Sequence, residues 1–363
     1  MSSHTIPEGK RILVVNPGST STKVAVYVDD TPYCSTTIRH DAEELAQYNQ
    51  IIDQHDFRRQ LVVDWLEKNH IPMQFDAVIG RGGLIKPIPG GVYRVNETMC
   101  RETYYAIRKH ACNLGCIIAY ELARRQHNGC QAYIADPVTV DELVPEARIS
   151  GSPLMPRLAI WHALNQRATA RRYAKEMGKR YEDFNLIICH LGGGISVAAH
   201  HKGRAIDTNN ALDGEGPISP ERAGTLPAAD LIHLCYSGRY TEDQLKKRVA
   251  GQAGLVAHIG TTDIVKILRM ADEGNARARL LINAMIFHTA KAIAAESAVL
   301  FGKVDAILLT GGMAHSDYIT RGIAQRVEHI APVRIFPGED EMEALALNAL
   351  AVLRGEREAK EYC

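Results

Sequence analysis

The sequence has no excess of either charge, no long apolar run and no dense set of cysteines. Its 363 residues include 42 Lys+Arg and 42 Asp+Glu, so the formal net charge is zero. A nucleic-acid backbone or an anionic membrane as main partner favours a basic excess, and neither partner is expected. No apolar run reaches the ~18 residues of a spanning helix, and residues 1–10 lack the apolar core of a secretion signal.

The few cysteines are dispersed, at positions 34, 100, 112, 116, 130, 189, 235 and 363. In a chain of this length they indicate reduced thiols of a cytoplasmic protein rather than a disulfide framework. Hydrophobic residues make up 46% and charged residues 23%, which is typical of globular proteins with a sizeable core. The length favours about two domains. We therefore expect a cytoplasmic two-domain α/β protein.

Two common nucleotide-binding motifs are also absent. A P-loop needs a glycine before its lysine and a helix after it, whereas Thr22 precedes Lys23 and a strand is predicted to follow. No G-x-G-x-x-G segment occurs, so a Rossmann dinucleotide site is not supported. Any nucleotide site must be built in another way.

Three apolar strands are predicted to end in glycine turns, near residues 16–20, 190–194 and 310–312. The first two belong to strand–turn–strand units of similar plan, a weak internal repeat that suggests a duplicated domain. Ligand sites of α/β folds cluster at such strand ends. A long helix is predicted from about residue 153 to 177, and the tail is predicted to be helical over 341–353.

The polar residues near these turns each have a local explanation and a functional one. The segment 16–23 suits either a phosphate cradle or a polar hairpin tip. Arg81 and Arg222 lie among turn residues. Each is either a solvated surface charge or a planar guanidinium that binds carboxylate and phosphoryl oxygens. Asp136 is either a turn former or a metal or catalytic carboxylate. His162 is predicted inside the helix, where a structural role is the default.

Seven segments follow the order found in one known family, namely 16–23, 80–83, 136, 159–162, 190–194, 220–222 and 309–313. From about residue 11 to 353 the chain resembles the acetokinase family of carboxylate kinases, and within it the butyrate kinases most. This resemblance implies two ribonuclease-H-like domains of the acetate and sugar kinase/actin superfamily around a central cleft. It assigns residues 1–150 plus 338–363 to an acid-binding domain and 151–337 to a nucleotide-binding domain. It also implies a dimer or an assembly of dimers.

The resemblance implies roles for individual residues. Those expected at the phosphates are Asn16, Ser19, Ser21, Lys23, His190, Gly192, Gly193 and Gly194. Those expected at the nucleoside are Thr262, Asp263, Gly311 and Gly312. Those expected to be catalytic are Arg81, Asp136, His162 and Arg222. Those expected at Mg²⁺ are Asn16, Asp136 and Glu341, with Glu343 as the alternative to Glu341. Those expected in the acid pocket are Gly82, Gly83 and Trp161.

Three departures from the acetate kinases bear on the ligands. Gly193 replaces an asparagine, and Ile264 and Val265 replace an aromatic residue and an arginine near the adenine. Gly83 replaces a branched residue that narrows the methyl pocket of acetate kinases. Extra methylenes, each worth about 0.8 kcal/mol when buried, are then expected to fit. The predicted substrate is butyrate, isobutyrate or a similar acid.

The implied reaction is ATP + carboxylate ⇌ ADP + acyl phosphate, by direct in-line transfer. A carboxylic acid is already ionised at pH 7, so no general base is needed. Charge repulsion is the main obstacle, and arginines, a lysine and magnesium oppose it. The alternatives are an acetate or propionate kinase, an alcohol or sugar kinase of the same superfamily with Asp136 as base, and a non-catalytic actin-like ATP-binding protein.

Overall fold

A computed structural model describes residues 7–106 and 108–363. The backbone contacts divide this part of the chain into two units. One unit runs to Val140 and resumes at Asp340–Cys363, and the other is Asp141–Glu339. The sequence predicted these divisions after residue 150 and before residue 338.

Each unit contains one sheet. The strands of the first unit are β1 (Arg11–Pro17), β2 (Ser21–Val28), β3 (Thr31–Arg39), β4 (Ala77–Arg81), β5 (Val92–Arg94) and β6 (Gln131–Ala135). Those of the second are β7 (Asn185–Leu191), β8 (Ile195–His201), β9 (Arg204–Thr208), β10 (Ala306–Gly311) and β11 (Val333–Pro337).

The two sheets share one strand order over five strands, and the first sheet has β5 as a sixth. The first has the strand order β3-β2-β1-β4-β6-β5, and the second has the order β11-β10-β7-β8-β9. In each sheet three consecutive strands pair antiparallel, and the first of them also pairs in parallel with a later strand. Asn16 pairs with Lys23 in one hairpin, and His190 pairs with Ser196 in the other. The weak repeat in the sequence is therefore a repeat of fold.

Helices follow or flank these strands. They are α1 (Ala42–Leu45), α2 (His55–Lys68), α3 (Glu97–Tyr104), α4 (Asn113–Arg124), α5 (Pro145–Arg148), α6 (Ala163–Glu176), α7 (Ala228–Cys235), α8 (Glu242–Lys247), α9 (Leu255–Ile259), α10 (Ile264–Asp272), α11 (Ala276–Val299), α12 (Asp317–Val327) and α13 (Glu341–Leu353). Short 3₁₀ segments occupy Ile51–Gln54, Tyr181–Asp183 and Gly312–His315. None of the described helices combines the length and apolarity needed to cross a bilayer.

The central strands are continuous apolar runs because helices cover both of their faces. Leu13 and Val15 of β1 face a core shared with α2 and α4. On β1, β4 and β6, helix α13 makes further contacts, and its Leu345 is fully buried. Parallel strands buried on both faces have this composition. The helix at 341–353 begins and ends where the sequence predicts.

The predicted helix start near residue 153 is wrong, because α6 begins only at Ala163. Pro153 and Pro156 explain the difference, since proline lacks an N–H donor and restricts the residue before it. The Ser150 hydroxyl instead donates to Met155 O. His162 consequently occupies the N-cap position rather than the helix interior.

Candidate functional site

The first polar cluster lies at the turn between β1 and β2. Pairing of Pro17 with Thr22 ends the ladder next to the Asn16–Lys23 pair, and the N–H of Gly18 donates to Ser21 O at 2.7 Å to close the turn. The Asn16 side chain is buried, while Ser19 and Lys23 are exposed. The turn therefore exposes hydroxyl and ammonium groups, whereas the amide of Asn16 is buried.

Glu341 joins two of the predicted site residues. Its Oε2 accepts hydrogen bonds from Asn16 Nδ2 at 2.8 Å and from Arg81 Nη1 at 2.7 Å. Glu343, two residues further along α13, is exposed. The first turn of this helix thus directs Glu341, and not Glu343, to the ends of β1 and β4.

Asp136 directly follows β6 in a conformation that few residues other than glycine adopt. Its φ is +39°, and it is 1% exposed. The N–H of Gly91 donates to Asp136 Oδ1 at 2.8 Å, and the N–H of Asp136 donates to Gly91 O at 2.9 Å. Aspartate tolerates this region better than most residues. The carboxylate is therefore fixed in direction at the same sheet edge as Arg81.

The donors around this edge are chemically suited to magnesium. Asp136 and Glu341 supply carboxylates, and Asn16 supplies an amide. Mg²⁺ prefers such oxygen donors and usually keeps several of its waters. Because Asn16 donates its amide N–H to Glu341, the amide oxygen is the end that a hydrated cation would use. The residues present fit the ion.

The structure corrects the argument made for Gly83. A Cβ at this position would lie 2.5 Å from Asn113 Oδ1 and 2.6 Å from Asn113 Cα. The Asn113 side chain is itself fixed, because Oδ1 accepts the N–H of Leu84 at 2.8 Å and Nδ2 donates to Arg108 O at 3.0 Å. Gly83 therefore allows close packing against the start of α4, and the space that a side chain would take is filled by Asn113. A place for Gly83 in the acid pocket stays a prediction.

Gly82 and Trp161 are likewise packed against protein groups. A Cβ at Gly82 would lie 2.7 Å from Pro137 Cβ. Trp161 is 2% exposed, and its ring meets the ring of His200 edge-on, with the centroids 5.6 Å apart. A role for either residue beside a substrate stays a prediction.

Two histidines of the second unit form a stacked pair. The rings of His162 and His190 lie 3.8 Å apart between centroids, with an interplanar angle of 10°. His162 Nδ1 lies 2.9 Å from Ser196 Oγ, and His190 Nδ1 lies 2.8 Å from Asn165 Oδ1. Stacking and hydrogen bonds together fix both rings, so each can present its other nitrogen in a defined direction.

The sequence analysis did not single out Glu339, which lies beside this pair. Its Oε1 is 3.0 Å from His190 Nε2. Glu339 follows β11 directly after Pro337 and Gly338, so the strand-end rule used for the other turns could have found it. Asn165 and Ser196 were also missed, and neither has a sequence signal beyond being polar within apolar segments.

The glycines after β7 give room to the side chains of a second loop. A Cβ at Gly194 would lie 2.0 Å from Arg222 Nη1, and one at Gly193 would lie 2.9 Å from Glu221 Oε1. Arg222 Nη1 donates to Ala211 O at 2.6 Å. Burial lowers the pKa of Arg222, an effect that nearby carboxylates oppose. The glycine run thus leaves space for the part-buried guanidinium of Arg222 beside Gly194.

Five of the predicted nucleotide residues line one cavity of about 890 Å³ in the second unit. These five residues are Gly192, Gly193, Thr262, Asp263 and Gly312. Asp263 also caps α10, since its Oδ1 accepts the N–H of Lys266 at 3.0 Å. Val265 and Met313 add apolar surface. Gly311, whose Cβ would meet Leu191 O at 2.5 Å, instead packs strand against strand.

Comparison with known proteins gives consistent matches. A model of the acetokinase family matches residues 160–331. A probable butyrate kinase from Bacteroides thetaiotaomicron is 61% identical, over 97% of this chain and 99% of the relative. Butyrate kinase 2 from Clostridium acetobutylicum is 50% identical, over 97% of this chain and 99% of the relative.

Among solved structures, the acetate kinase of Porphyromonas gingivalis superposes with a TM-score of 0.77 at 18% identity, covering 95% of this chain and 100% of that one. This likeness confirms the predicted fold of two ribonuclease-H-like α/β domains. Relatives of high identity span nearly the whole sequence. The chain belongs to the acetokinase family.

Proposed function

We propose that this protein transfers the γ-phosphoryl group of ATP to a short-chain carboxylate, forming ADP and an acyl phosphate, in a reversible reaction. The observation that carries the proposal is the 61% identity, over nearly the full length, to a relative named a probable butyrate kinase. The reaction forms a bond between a carboxylate oxygen and the γ-phosphorus, and it breaks the bond between that phosphorus and the β,γ-bridging oxygen.

The carboxylates of Glu341 and Asp136 already accept hydrogen bonds from the protein, which supports a reaction that needs no general base. Glu341 accepts hydrogen bonds from Arg81 and Asn16, and Asp136 accepts one from a backbone N–H. An alcohol kinase requires a carboxylate that takes a proton from its substrate. A short-chain acid is already ionised at pH 7, so its oxygen attacks without that help.

The first unit provides the groups for the acid and for phosphate. Arg81, held by Glu341, pairs with the substrate carboxylate through its remaining N–H donors. Ser19, Ser21 and Lys23 offer donors to phosphoryl oxygens from the β1–β2 turn. These cations reduce the repulsion between an acid and a polyphosphate, which is the main barrier to their approach.

The second unit provides the groups for the nucleotide and for the transferred phosphoryl group. Arg222 and His162 donate to equatorial oxygens of that group, where charge is spread in the transition state. The backbone of the run 192–194 lies against the phosphates, and the residues of the 890 Å³ cavity bind the nucleoside. His190 orients His162 by stacking.

Asn16, Asp136 and Glu341 would hold Mg²⁺ through its waters. When bound, the ion would neutralise charge on the phosphoryl oxygens. These residues would fix the position of the ion relative to Arg81, because Arg81 and Asn16 both donate hydrogen bonds to Glu341.

Butyrate is the proposed acid because the relatives at 61% and 50% identity are named a probable butyrate kinase and butyrate kinase 2. The Gly83 argument no longer contributes, since Asn113 occupies the space beside that glycine. Isobutyrate and valerate are the nearest alternatives in size. A homodimer, or an assembly of dimers, is part of the same proposal and is testable by light scattering.

The test is an ATP/Mg²⁺ assay in which hydroxylamine traps the acyl phosphate. Acetate, propionate, butyrate, isobutyrate, valerate and isovalerate are compared, and glycerol and glucose are followed by ADP release. Hydroxamate that peaks with a four-carbon acid supports the proposal. A peak at acetate keeps the reaction and changes the substrate. ADP release that depends on glycerol or glucose, without hydroxamate from any acid, overturns the proposal.

A further inference from the structure

Arg58, on α2, is the largest of the fully buried side chains, with 0% exposure. Its guanidinium donates to Gly18 O at 2.6 Å, to Ser19 O at 3.1 Å and to Ser21 O at 3.3 Å. Nε and Nη2 also donate to Gln54 Oε1, at 3.1 and 2.8 Å. Within the described residues, none of the hydrogen-bond or ion-pair partners of this guanidinium is a carboxylate.

These contacts fix the orientation of the β1–β2 turn. Arg58 binds the carbonyls of residues 18, 19 and 21, and the remaining carbonyl, Thr20 O, accepts the N–H of His40 at 3.0 Å. All four carbonyls of the turn therefore point to protein donors. No described residue accepts the N–H groups of Ser19 and Thr20. Successive free backbone N–H groups form a concave site for an anion.

Among the residues that the structure describes, the charge of Arg58 beneath the turn has no partner of opposite sign. Burial lowers the pKa of Arg58 to about 10, which leaves the guanidinium protonated at neutral pH. Burial and the charge of Arg58 lower the pKa of His40 to about 4, so this neighbour is neutral. A buried cation paired only with neutral dipoles is costly unless an anion approaches it.

We infer that Arg58 is a positioning residue for phosphoryl binding. It holds the turn carbonyls inward, directs the N–H groups of Ser19 and Thr20 outward, and places a positive charge behind them. The inference rests on the proposed function only in naming the anion as a phosphate of ATP. The turn itself lies in the first unit and is built entirely by residues of that unit.

The experiment compares Arg58→Met with Arg59→Met. Met keeps much of the buried volume of Arg58 and removes its charge and its hydrogen bonds. Arg59 is the matched control, because it neighbours Arg58 on α2 but pairs with Asp56 and Glu121. For each variant, calorimetry gives the affinity for MgATP, kinetics gives kcat and the KM for butyrate, and thermal unfolding gives Tm.

We expect Arg58→Met to weaken MgATP binding about tenfold or more, the size of a lost charge-assisted hydrogen bond. Its kcat falls as well, whereas its KM for butyrate changes by less than about twofold. Arg59→Met lowers Tm but keeps the MgATP affinity. Arg58→Lys, which keeps the charge, is expected to bind MgATP with intermediate affinity and is the test variant if Arg58→Met does not fold.

A folded Arg58→Met or Arg58→Lys protein with wild-type MgATP affinity and kcat would overturn the inference, whatever its Tm. The binding measurement separates this outcome from failure of the proposed function. If the wild type makes no hydroxamate but Arg58→Met still binds MgATP more weakly, the function fails and the positioning role stands.

Discussion

Glu341 Oε2 and Arg81 Nη1 form a hydrogen-bonded ion pair at 2.7 Å between residues 260 positions apart in the sequence. The same oxygen accepts the amide of Asn16. A single carboxylate oxygen therefore sets the direction of one cation and one amide. Arg81 is half-buried and Asn16 is buried, so loss of the negative charge of Glu341 affects the hydrogen bonds of both residues at once.

We expect Glu341→Gln to lower kcat about tenfold to a hundredfold and to raise the Mg²⁺ requirement, as changes beside a metal site commonly do. Steady-state kinetics over a Mg²⁺ titration measures both effects. Glu343→Gln is the matched control, because Glu343 is exposed on the same helical turn. Equal activity of the two variants would remove Glu341 from the site.

Asp136→Asn separates charge from conformation. Asparagine tolerates the positive φ of this residue and can still accept the N–H of Gly91, so the fold is retained. We expect the Mg²⁺ concentration for half-maximal activity to rise about tenfold or more. An unchanged Mg²⁺ titration would contradict a metal role for this carboxylate.

Arg222→Ala is expected to lower kcat by about a hundredfold or more, the cost of losing one donor to developing charge. Its far-ultraviolet circular dichroism remains that of the wild type, because the guanidinium is part-exposed and bonds one carbonyl. Arg321→Ala is the control, since Arg321 pairs with Asp317 on the surface of α12. Near-normal kcat in a folded Arg222→Ala protein would remove the proposed role.

Gly83→Ala distinguishes a packing glycine from a pocket-widening one. The new Cβ would meet the backbone of Asn113, so we expect a loss of about 1–3 kcal/mol in unfolding free energy. Urea unfolding measures it. If stability is unchanged and the preferred acid becomes shorter, the earlier pocket argument is right after all.

The raised pKa of Glu296 predicts that the free energy of unfolding depends on pH. Burial, with a smaller contribution from Asp207, raises the pKa of this carboxyl from 4.5 to about 8. The native state then binds more protons than the unfolded state between these values, so stability falls as pH rises through this window. Glu296→Gln removes this contribution. Relative to wild type, the variant should gain unfolding free energy between about pH 5 and about pH 9. A constant difference between the two proteins would contradict the raised pKa.

The sequence predicts those elements that local patterns determine. The hairpins around 16–20 and 190–194 and the helix 341–353 follow from apolar periodicity and turn residues. The helix start near His162 could not be predicted from the same pattern, because two prolines override an otherwise helical composition.

Contacts between residues that are distant in sequence could not be predicted from such local patterns. The role of Gly83 depends on Asn113, which no spacing rule relates to it. Arg58 was passed over because an arginine on an amphipathic helix is usually exposed. Glu339 was overlooked although it follows a strand, since a single acid after a Pro-Gly turn has an adequate local explanation.

The return of α13 to the first unit has a consequence for biosynthesis. Leu345 is fully buried in α13, which packs against the first sheet, and Glu341 fixes Asn16 and Arg81, yet both residues are translated after the entire second unit. On the ribosome, the unit that begins first is completed last. The second unit can fold while the first still lacks a helix, so a chain interrupted before residue 341 contains every residue that lines the 890 Å³ cavity but lacks the carboxylate that holds Arg81.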